Sequence, residues 1–453
     1  MLHKCFLLAF LAGCTAGRNL HNGGDGGIDN SEVDMVPPCE GIQCQVVDCG
    51  EVGQPTTLVG TVYAPNGTLP IYNAIVYIPQ SAVASFTDGV ICDRCNGQVS
   101  GDPLVQALTG PDGKFELDNV PAGDIPLVIQ IGKWRRQVML QGVPACTISQ
   151  LTPDQTRLPK NRSEGDIPRI AIATGSVDPM ECLLLKIGID PNEIKEPGNG
   201  TRIDFYQAAN SPGTMISANT PSAADPNNGL YIQMNRLLNY DMVILPCEGG
   251  EFDQSAGTAN IAKYVNAGGR VFTTHYSYDW LTYPNSPFNK VANPLQSGMW
   301  PKDQLDYPDD TVVTTTKLVT SFPKGMAFAK WLKYAGAKSA PNTLDILQIR
   351  HDINGVSGYA QAWARDDFSG IPGIAHLTFN TPLDPPKDDM GNPEYCGRVM
   401  YSDFHVSQSE ADFSFNFPQA CMMGDMSDQE KALAFMFFDL SSCVQSDQQP
   451  PVG

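Results

Sequence analysis

The chain has 453 residues, 42% of them hydrophobic, and a formal net charge of −20 from 49 acidic and 29 basic side chains. That is enough for roughly two or three domains. The acidic balance argues against nucleic acid and anionic surfaces as partners, since both need a basic face.

At the N-terminus, Lys4 precedes a short apolar run that closes on Leu11-Ala12-Gly13-Cys14. This is the build of a secretory signal ending in small residues. Leu11-Ala12-Gly13-Cys14 resembles the lipobox of bacterial lipoproteins. The resemblance implies a signal peptide over 1–14, acylation of Cys14 and a membrane-anchored body in the cell envelope. Thr15, standing where Asp would signal retention, implies the outer membrane. Each buried methylene of an acyl chain contributes about 0.8 kcal/mol, so several chains anchor firmly. No later stretch is long and apolar enough to span a bilayer. Residues 15–50 read as a flexible tether. Their first part, with Asn22-Gly23-Gly24-Asp25-Gly26-Gly27, has no apolar period to offset backbone entropy.

Of the 13 cysteines, Cys5 leaves with the signal and Cys14 takes the lipid. The rest sit in an oxidising compartment, where pairing is expected. Cys39, Cys44, Cys49, Cys92, Cys95 and Cys146 can pair among themselves. Cys182, Cys247, Cys396, Cys421 and Cys443 leave one thiol over, unless one bridge crosses between the two halves.

Residues 51–150 read as β structure. Leu58-Val59-Gly60-Thr61-Val62-Tyr63, Ala74-Ile75-Val76-Tyr77-Ile78, Lys114-Phe115-Glu116-Leu117 and Pro126-Leu127-Val128-Ile129-Gln130-Ile131 are short strands between turn signals, the pattern of a β-sandwich. The order Gly-x-Val, Asn-Gly, Ala-x-Val, Asp-Gly-x-Phe, Val-Pro-x-Gly resembles the carboxypeptidase regulatory-like (transthyretin-like) domain. That resemblance implies an accessory module without chemistry of its own. Cys92-Asp93-Arg94-Cys95 lies in a Gly- and Asp-rich insertion, which favours structural disulfides over a redox or zinc site. Lys133-Trp134-Arg135-Arg136 is a compact basic patch, read as an edge strand kept charged against edge-to-edge pairing or as an anion contact.

Residues 165–445 alternate strands and helices. Arg169-Ile170-Ala171-Ile172-Ala173-Thr174, Asp241-Met242-Val243-Ile244-Leu245 and Arg398-Val399-Met400-Tyr401-Ser402 are nearly continuous apolar runs, as in parallel strands buried on both faces. Further strands are expected at 202–206 and 270–274, and helices at 230–239, 259–267 and 432–440, the last opened by a Ser427/Glu430 capping box. Asp178, Pro179 and Glu181 read as another helix start. A mixed insertion occupies 281–396, with a helix at 326–334 and a strand at 344–349, and a short tail covers 446–453. The fold class is therefore multidomain: an N-terminal β-sandwich, then an α/β flavodoxin-like parallel-sheet domain carrying an insertion.

Ligands in open α/β sheets bind beyond the carboxyl ends of the strands. Those ends carry Pro246-Cys247-Glu248-Gly249-Gly250-Glu251, His275-Tyr276-Ser277-Tyr278-Asp279-Trp280 and Asp403-Phe404-His405, and the first strand adds Thr174-Gly175 and Asp178. The arrangement resembles the class I glutamine amidotransferase-like fold. The points of likeness are Tyr240 to Leu245 with its following glycines, Tyr264-Val265-Asn266-Ala267-Gly268-Gly269-Arg270-Val271-Phe272 running into His275, and the terminal run into His405. Active members place a nucleophilic cysteine in an elbow after the fourth strand. Here Thr274-His275-Tyr276-Ser277 fills that slot, so the resemblance implies a scaffold without amidotransferase activity. The order of parts is also similar to that of secreted lipoproteins of myxobacteria.

The expected role is binding or display at the envelope, with Tyr276, Tyr278, Trp280 and Tyr283, joined by Trp300, offering rings for stacking on a glycan beside Glu248, Asp279 and Asp403. The alternative is an envelope hydrolase. It would use His275 and His405 either with Cys247 as nucleophile, His405 serving as its base, or with a divalent metal such as zinc, held by His275, Asp279, Asp403 and His405. His351 and His376 read as structural. No P-loop or G-x-G-x-x-G is present, so nucleotide binding is not supported. Otherwise no cofactor is expected, and the partners are the membrane, through Cys14, and an envelope glycan or protein.

Overall fold

Short β-rich segments occupy the N-terminal part: β1 (Thr57–Thr61), β2 (Ile75–Pro79), β3 (Pro103–Leu108), β4 (Lys114–Leu117), β5 (Gly123–Ile131), β6 (Trp134–Val143) and β7 (Ile148–Gln150). They make a three-stranded sheet, β4-β1-β7, and a four-stranded sheet, β3-β2-β5-β6. The pairing is antiparallel except that β1 runs parallel to β7. The computed structural model describes residues 41–51, 53–95, 99–282, 286–294, 313–368 and 371–452. The signal, Cys14, most of the tether, Tyr283 and Trp300 lie outside the described residues. The end of the expected tether is tied down: Ala122 donates its N–H to Gln45 at 2.9 Å, and Cys49 is bridged to Cys146.

After a single turn, α1 (Pro153–Thr156), the chain enters the α/β part. Its elements are β8 (Ile170–Thr174), α2 (Met180–Lys186), β9 (Ile194–Lys195), β10 (Ile203–Gln207), α3 (Met234–Leu237), β11 (Met242–Leu245), α4 (Ser255–Asn266), β12 (Arg270–Thr274) and α5 (Asp279–Thr282). The segment expected as an insertion adds β13 (Ala292–Pro294), β14 (Val313–Leu318), α6 (Pro323–Tyr334), β15 (Thr343–Leu347), β16 (Ile353–Val356), β17 (Ala360–Phe368) and β18 (Ile371–Thr381). Then come β19 (Gly397–Ser402) and α7 (Asp428–Ser441). Among the described residues these build a ten-stranded sheet, β15-β14-β17-β18-β19-β12-β11-β8-β10-β9. Strands β10, β8, β11, β12 and β19 are mutually parallel. In chain order they read 2-1-3-4-5, the flavodoxin-like order, whose switch point lies between β8 and β11. The inserted strands β14, β15, β17 and β18 prolong the sheet antiparallel beyond β19, rather than forming a body of their own.

From Glu40 to Gly453 the chain forms one unit, and side chains show how the β-rich part docks. Trp134 meets Phe437 and Phe438 of α7 edge-on, at 6.2 and 6.0 Å between centroids. Tyr72 stacks on Phe435, and the Trp331 indole donates to the Pro70 carbonyl at 2.8 Å. The patch opens an edge strand, β6, as expected, but Lys133 and Arg135 face inward rather than guarding the edge or meeting an anion. Lys133 is buried and donates to Asp241 at 2.6 Å and to the carbonyls of Thr87 and Gly89, while Arg135 pairs with Asp166. The approach is close enough that Gly132, at φ 53°, has no room for a Cβ: it would lie 1.8 Å from the Ser441 carbonyl oxygen.

Two bridges fasten the same junction, Cys92–Cys396 and Cys95–Cys443. A third, Cys182–Cys421, joins α2 to the loop before α7, and Cys44 is also disulfide-bonded. Two bridges, not one, thus cross between the halves. Among the described residues Cys247 is left as the free thiol.

Behind the sheet four charged groups are buried together. Lys324 on α6 reaches Asp439 on α7 at 2.8 Å and Asp447 at 3.7 Å. Arg398 on β19 reaches Asp447 at 2.6 Å and Asp439 at 3.2 Å. Burial alone would raise the Asp447 carboxyl, but Arg398 and Lys324 outweigh it and hold the group below its ordinary value. Removing one member of such a set strands the opposite charge in a dry interior. Lys324→Met is therefore expected to lower the unfolding free energy by about 3–5 kcal/mol, read from urea denaturation at neutral pH. A loss below about 1 kcal/mol, the range of an exposed pair, would contradict the assignment.

Candidate functional site at the carboxyl rim of the sheet

The switch point places the ends of β8 and β11 side by side, with β12 and β19 next in line. Gly175, after β8, packs against the β11 end so closely that a Cβ would lie 2.0 Å from the Cys247 carbonyl oxygen. Asp178, expected both as a helix cap and at the rim, takes only the second place. It accepts from the Thr274 hydroxyl and, at 3.0 Å, from the Val406 N–H, so it ties the ends of β8, β12 and β19 together. Helix α2 starts without a side-chain cap. Thr274 in turn accepts from the Cys247 N–H at 3.0 Å.

Strand β12 ends in a sharp turn into a 3-10 turn and α5, with His275 at φ 42°. A non-glycine residue in the left-handed region costs on the order of 1–3 kcal/mol and persists where its surroundings over-determine it. The geometry is that of a strained elbow between strand and helix, and the side chain it presents is an imidazole.

His275 Nδ1 lies 3.1 Å from Cys247 Sγ. The sulfur also receives the Gly249 N–H at 3.3 Å and the Tyr276 N–H. Burial pushes the thiol pKa up. Burial, reinforced by His405 and Arg350, holds His275 well below the ordinary histidine value. A neutral thiol therefore donates to Nδ1. That places the imidazole proton on Nε2, which faces Asp352 at 3.4 Å. Asp352, from the loop before β16, has its carboxyl raised by burial and by the adjacent Asp403. Asp403 accepts the Tyr401 hydroxyl at 2.9 Å and the Asp352 N–H at 2.7 Å. His405, expected as the base, is pushed down to about 4 by burial, and its Nδ1 pairs with the Val406 carbonyl at 2.9 Å. Its ring centroid is 5.6 Å from that of His275. The imidazole on the thiol is thus His275, not His405.

The other rim candidates serve the scaffold. Glu248 accepts from the Asn210 and Ser211 N–H groups and from Gln254. Asp279 accepts the Phe252 N–H at 2.6 Å, and burial raises its carboxyl to about 7. Tyr278 donates to Glu251. Trp280 is 1% exposed and meets Tyr231 edge-on, so its ring is core and not a stacking platform. Tyr276 keeps partial exposure. Among the described residues no three His, Cys, Asp or Glu side chains are placed to hold an ion, the four expected metal ligands included. His351 pairs with Asp366 at 2.6 Å, and His376 with Ser402 at 2.7 Å. Asp178 stands among the expected rim residues, whereas Asp352 has no sequence signal beyond its neighbour His351.

No family model matches the chain, and no curated protein matches it. Among solved structures it is similar to a ThuA-like protein from Bacteroides uniformis, at 10% identity and a TM-score of 0.29 over 60% of this chain and 90% of that one. It is similar to the glutaminase domain of Trypanosoma brucei CTPS with bound acivicin, at 12% identity and a TM-score of 0.31 over 63% and 98%. A β-galactosidase from Rahnella sp. R3 aligns at 17% identity and a TM-score of 0.27 over 62% and 33%. Likeness at these TM-scores carries no argument. The α/β class rests on the strand order itself.

One rim-side group sets a pH dependence. Glu181, wholly buried on α2 and hydrogen-bonded by Thr214, is raised by burial from 4.5 to about 7. Between those values the folded chain holds a proton that the unfolded chain has lost, so stability falls as pH rises through the window. Glu181→Gln is expected to remove a decline of about 3 kcal/mol, seen as a flatter profile of urea midpoint against pH. An unchanged profile would show that Glu181 is ionised throughout.

Proposed function

We propose that the protein is an extracytoplasmic lipoprotein, anchored through Cys14, whose amidotransferase-like α/β part binds or displays an envelope ligand rather than turning one over. The β-rich part is its accessory module, carboxypeptidase regulatory-like in kind. The observation that carries this reading is the state of Cys247. A catalytic thiol works as a thiolate, in reach of substrate, with free N–H groups aimed at the developing oxyanion. Cys247 is buried and its pKa raised, and the nearby Gly249 and Tyr276 N–H groups point at the sulfur itself. The elbow that would present a nucleophile presents His275. The disulfides support an oxidising compartment.

The 3.1 Å contact between Cys247 and His275 favours a second reading, a thiol hydrolase of envelope polymer. It requires the pair to open and ionise. Iodoacetamide at about pH 8, near the ordinary thiol pKa, separates the two. In the folded protein Cys247 is expected to stay unmodified, and to react fully once guanidinium unfolds the chain. Rapid modification of the folded protein, with release of envelope-polymer fragments that Cys247→Ser abolishes, would establish the hydrolase. Anchoring has its own test: Cys14→Ala is expected to move the protein from the detergent phase to the aqueous phase of a Triton X-114 partition. An aqueous wild type would remove the lipid from the proposal.

A further inference from the structure

Away from the rim, at the amino ends of the parallel strands, the surface holds a cavity of about 330 Å³. Its polar lining is Arg169, just before β8, Asp204 on β10, and Gln233, Asn235, Arg236 and Asn239 around α3. A second cavity of about 400 Å³ shares Pro197, Gly198 and Arg236 with it and adds the amides of Asn199, Asn219 and Asn228. The two make one amide-lined groove.

Its floor is a hydrogen-bonded network with unused capacity. The Tyr206 and Tyr240 hydroxyls are 3.0 Å apart, and Tyr240 donates to Asp204 Oδ2 at 2.6 Å. Arg169 donates to the same oxygen at 3.2 Å while its guanidinium lies over the Tyr240 ring. Asp204 is 2% exposed, and among the described residues its Oδ1 has no hydrogen-bond partner; nor do Arg169 Nε and Arg236 Nε. Unused buried polar atoms cost free energy, and the three side chains that carry them line one cavity, which marks it as a place to meet something polar.

The arrangement selects the chemistry. A hydroxyl donates once and accepts twice, so it satisfies a carboxylate oxygen and a guanidinium N–H together. Vicinal hydroxyls fit a lining that alternates carboxylate, guanidinium and amide. A free anion would meet Asp204 on the floor and Glu196 in the adjoining cavity. A cation would meet two arginines. We propose that this groove is a binding site for a neutral, polyhydroxylated ligand, an uncharged oligosaccharide in class. The site uses no rim residue and stands whether or not the reading of Cys247 holds.

Saturation-transfer NMR on the full chain, with maltotriose, cellotriose and chitotriose as probes and inorganic phosphate as control, tests this. At least one trisaccharide is expected to bind. Arg236→Ala and Asn235→Ala, both at positions outside the core, are expected to weaken that binding by about tenfold or more, with circular dichroism melts matching wild type. Asp204→Asn is expected to weaken it as well. Failure of all three sugars to bind, binding indifferent to both Arg236→Ala and Asn235→Ala, or phosphate binding in place of the sugars would each overturn the proposal.

Discussion

The buried quartet of Lys324, Arg398, Asp439 and Asp447 is what the rest of this architecture leans on. Each member comes from a different segment: α6, β19, α7 and the chain after α7. Two cations and two carboxylates in a dry interior balance only as a set, because each ion's desolvation is offset by its neighbours alone. Arg398 sits on the strand whose far end carries Asp403 and His405, so the register of β19 passes directly to the rim. Asp439 sits on the helix that receives Trp134, so the seat of the β-rich part depends on the same cluster.

The two edges of the parallel sheet are lined differently. At the carboxyl rim, burial suppresses charge. The Cys247 thiol, two histidines and the raised carboxyls of Asp178 and Asp352 sit close together, and the ionised form of each is the costly one. At the amino edge, two guanidiniums, amides and the buried Asp204 carboxyl line an open cavity. A rim of that kind suits rigidity and a held geometry. The opposite edge suits exchange with solutes.

What could be read without coordinates followed from how strongly local physics constrains each segment. Strands β8, β11, β12 and β19 are buried on both faces, and the nearly continuous apolar runs of β8, β11 and β19 announce it. Helix α7 begins where the Ser427/Glu430 capping box says it should. The insertion resisted because its strands alternate in burial while their partners lie far away in sequence, as with β14 and β17. Strand β3 carries Leu104, Val105, Ala107 and Leu108, but it opens on a proline and none of its residues is fully buried. The site was legible as a set of strand ends but not as a set of contacts. Only strand order brings Cys247 to His275 instead of His405, and only the path of the insertion delivers Asp352. Lys133 and Arg135 misled because a charged run looks the same in solvent as beneath a docked neighbour.

The crossing disulfides also shape how the molecule matures. Cys92 and Cys95 must find partners 304 and 348 positions downstream. In a chain that emerges N-terminus first, the two meet each other long before either correct mate appears. A bond formed early between them has to reopen by thiol exchange before the native pairs can close, once the last strand and helix have arrived.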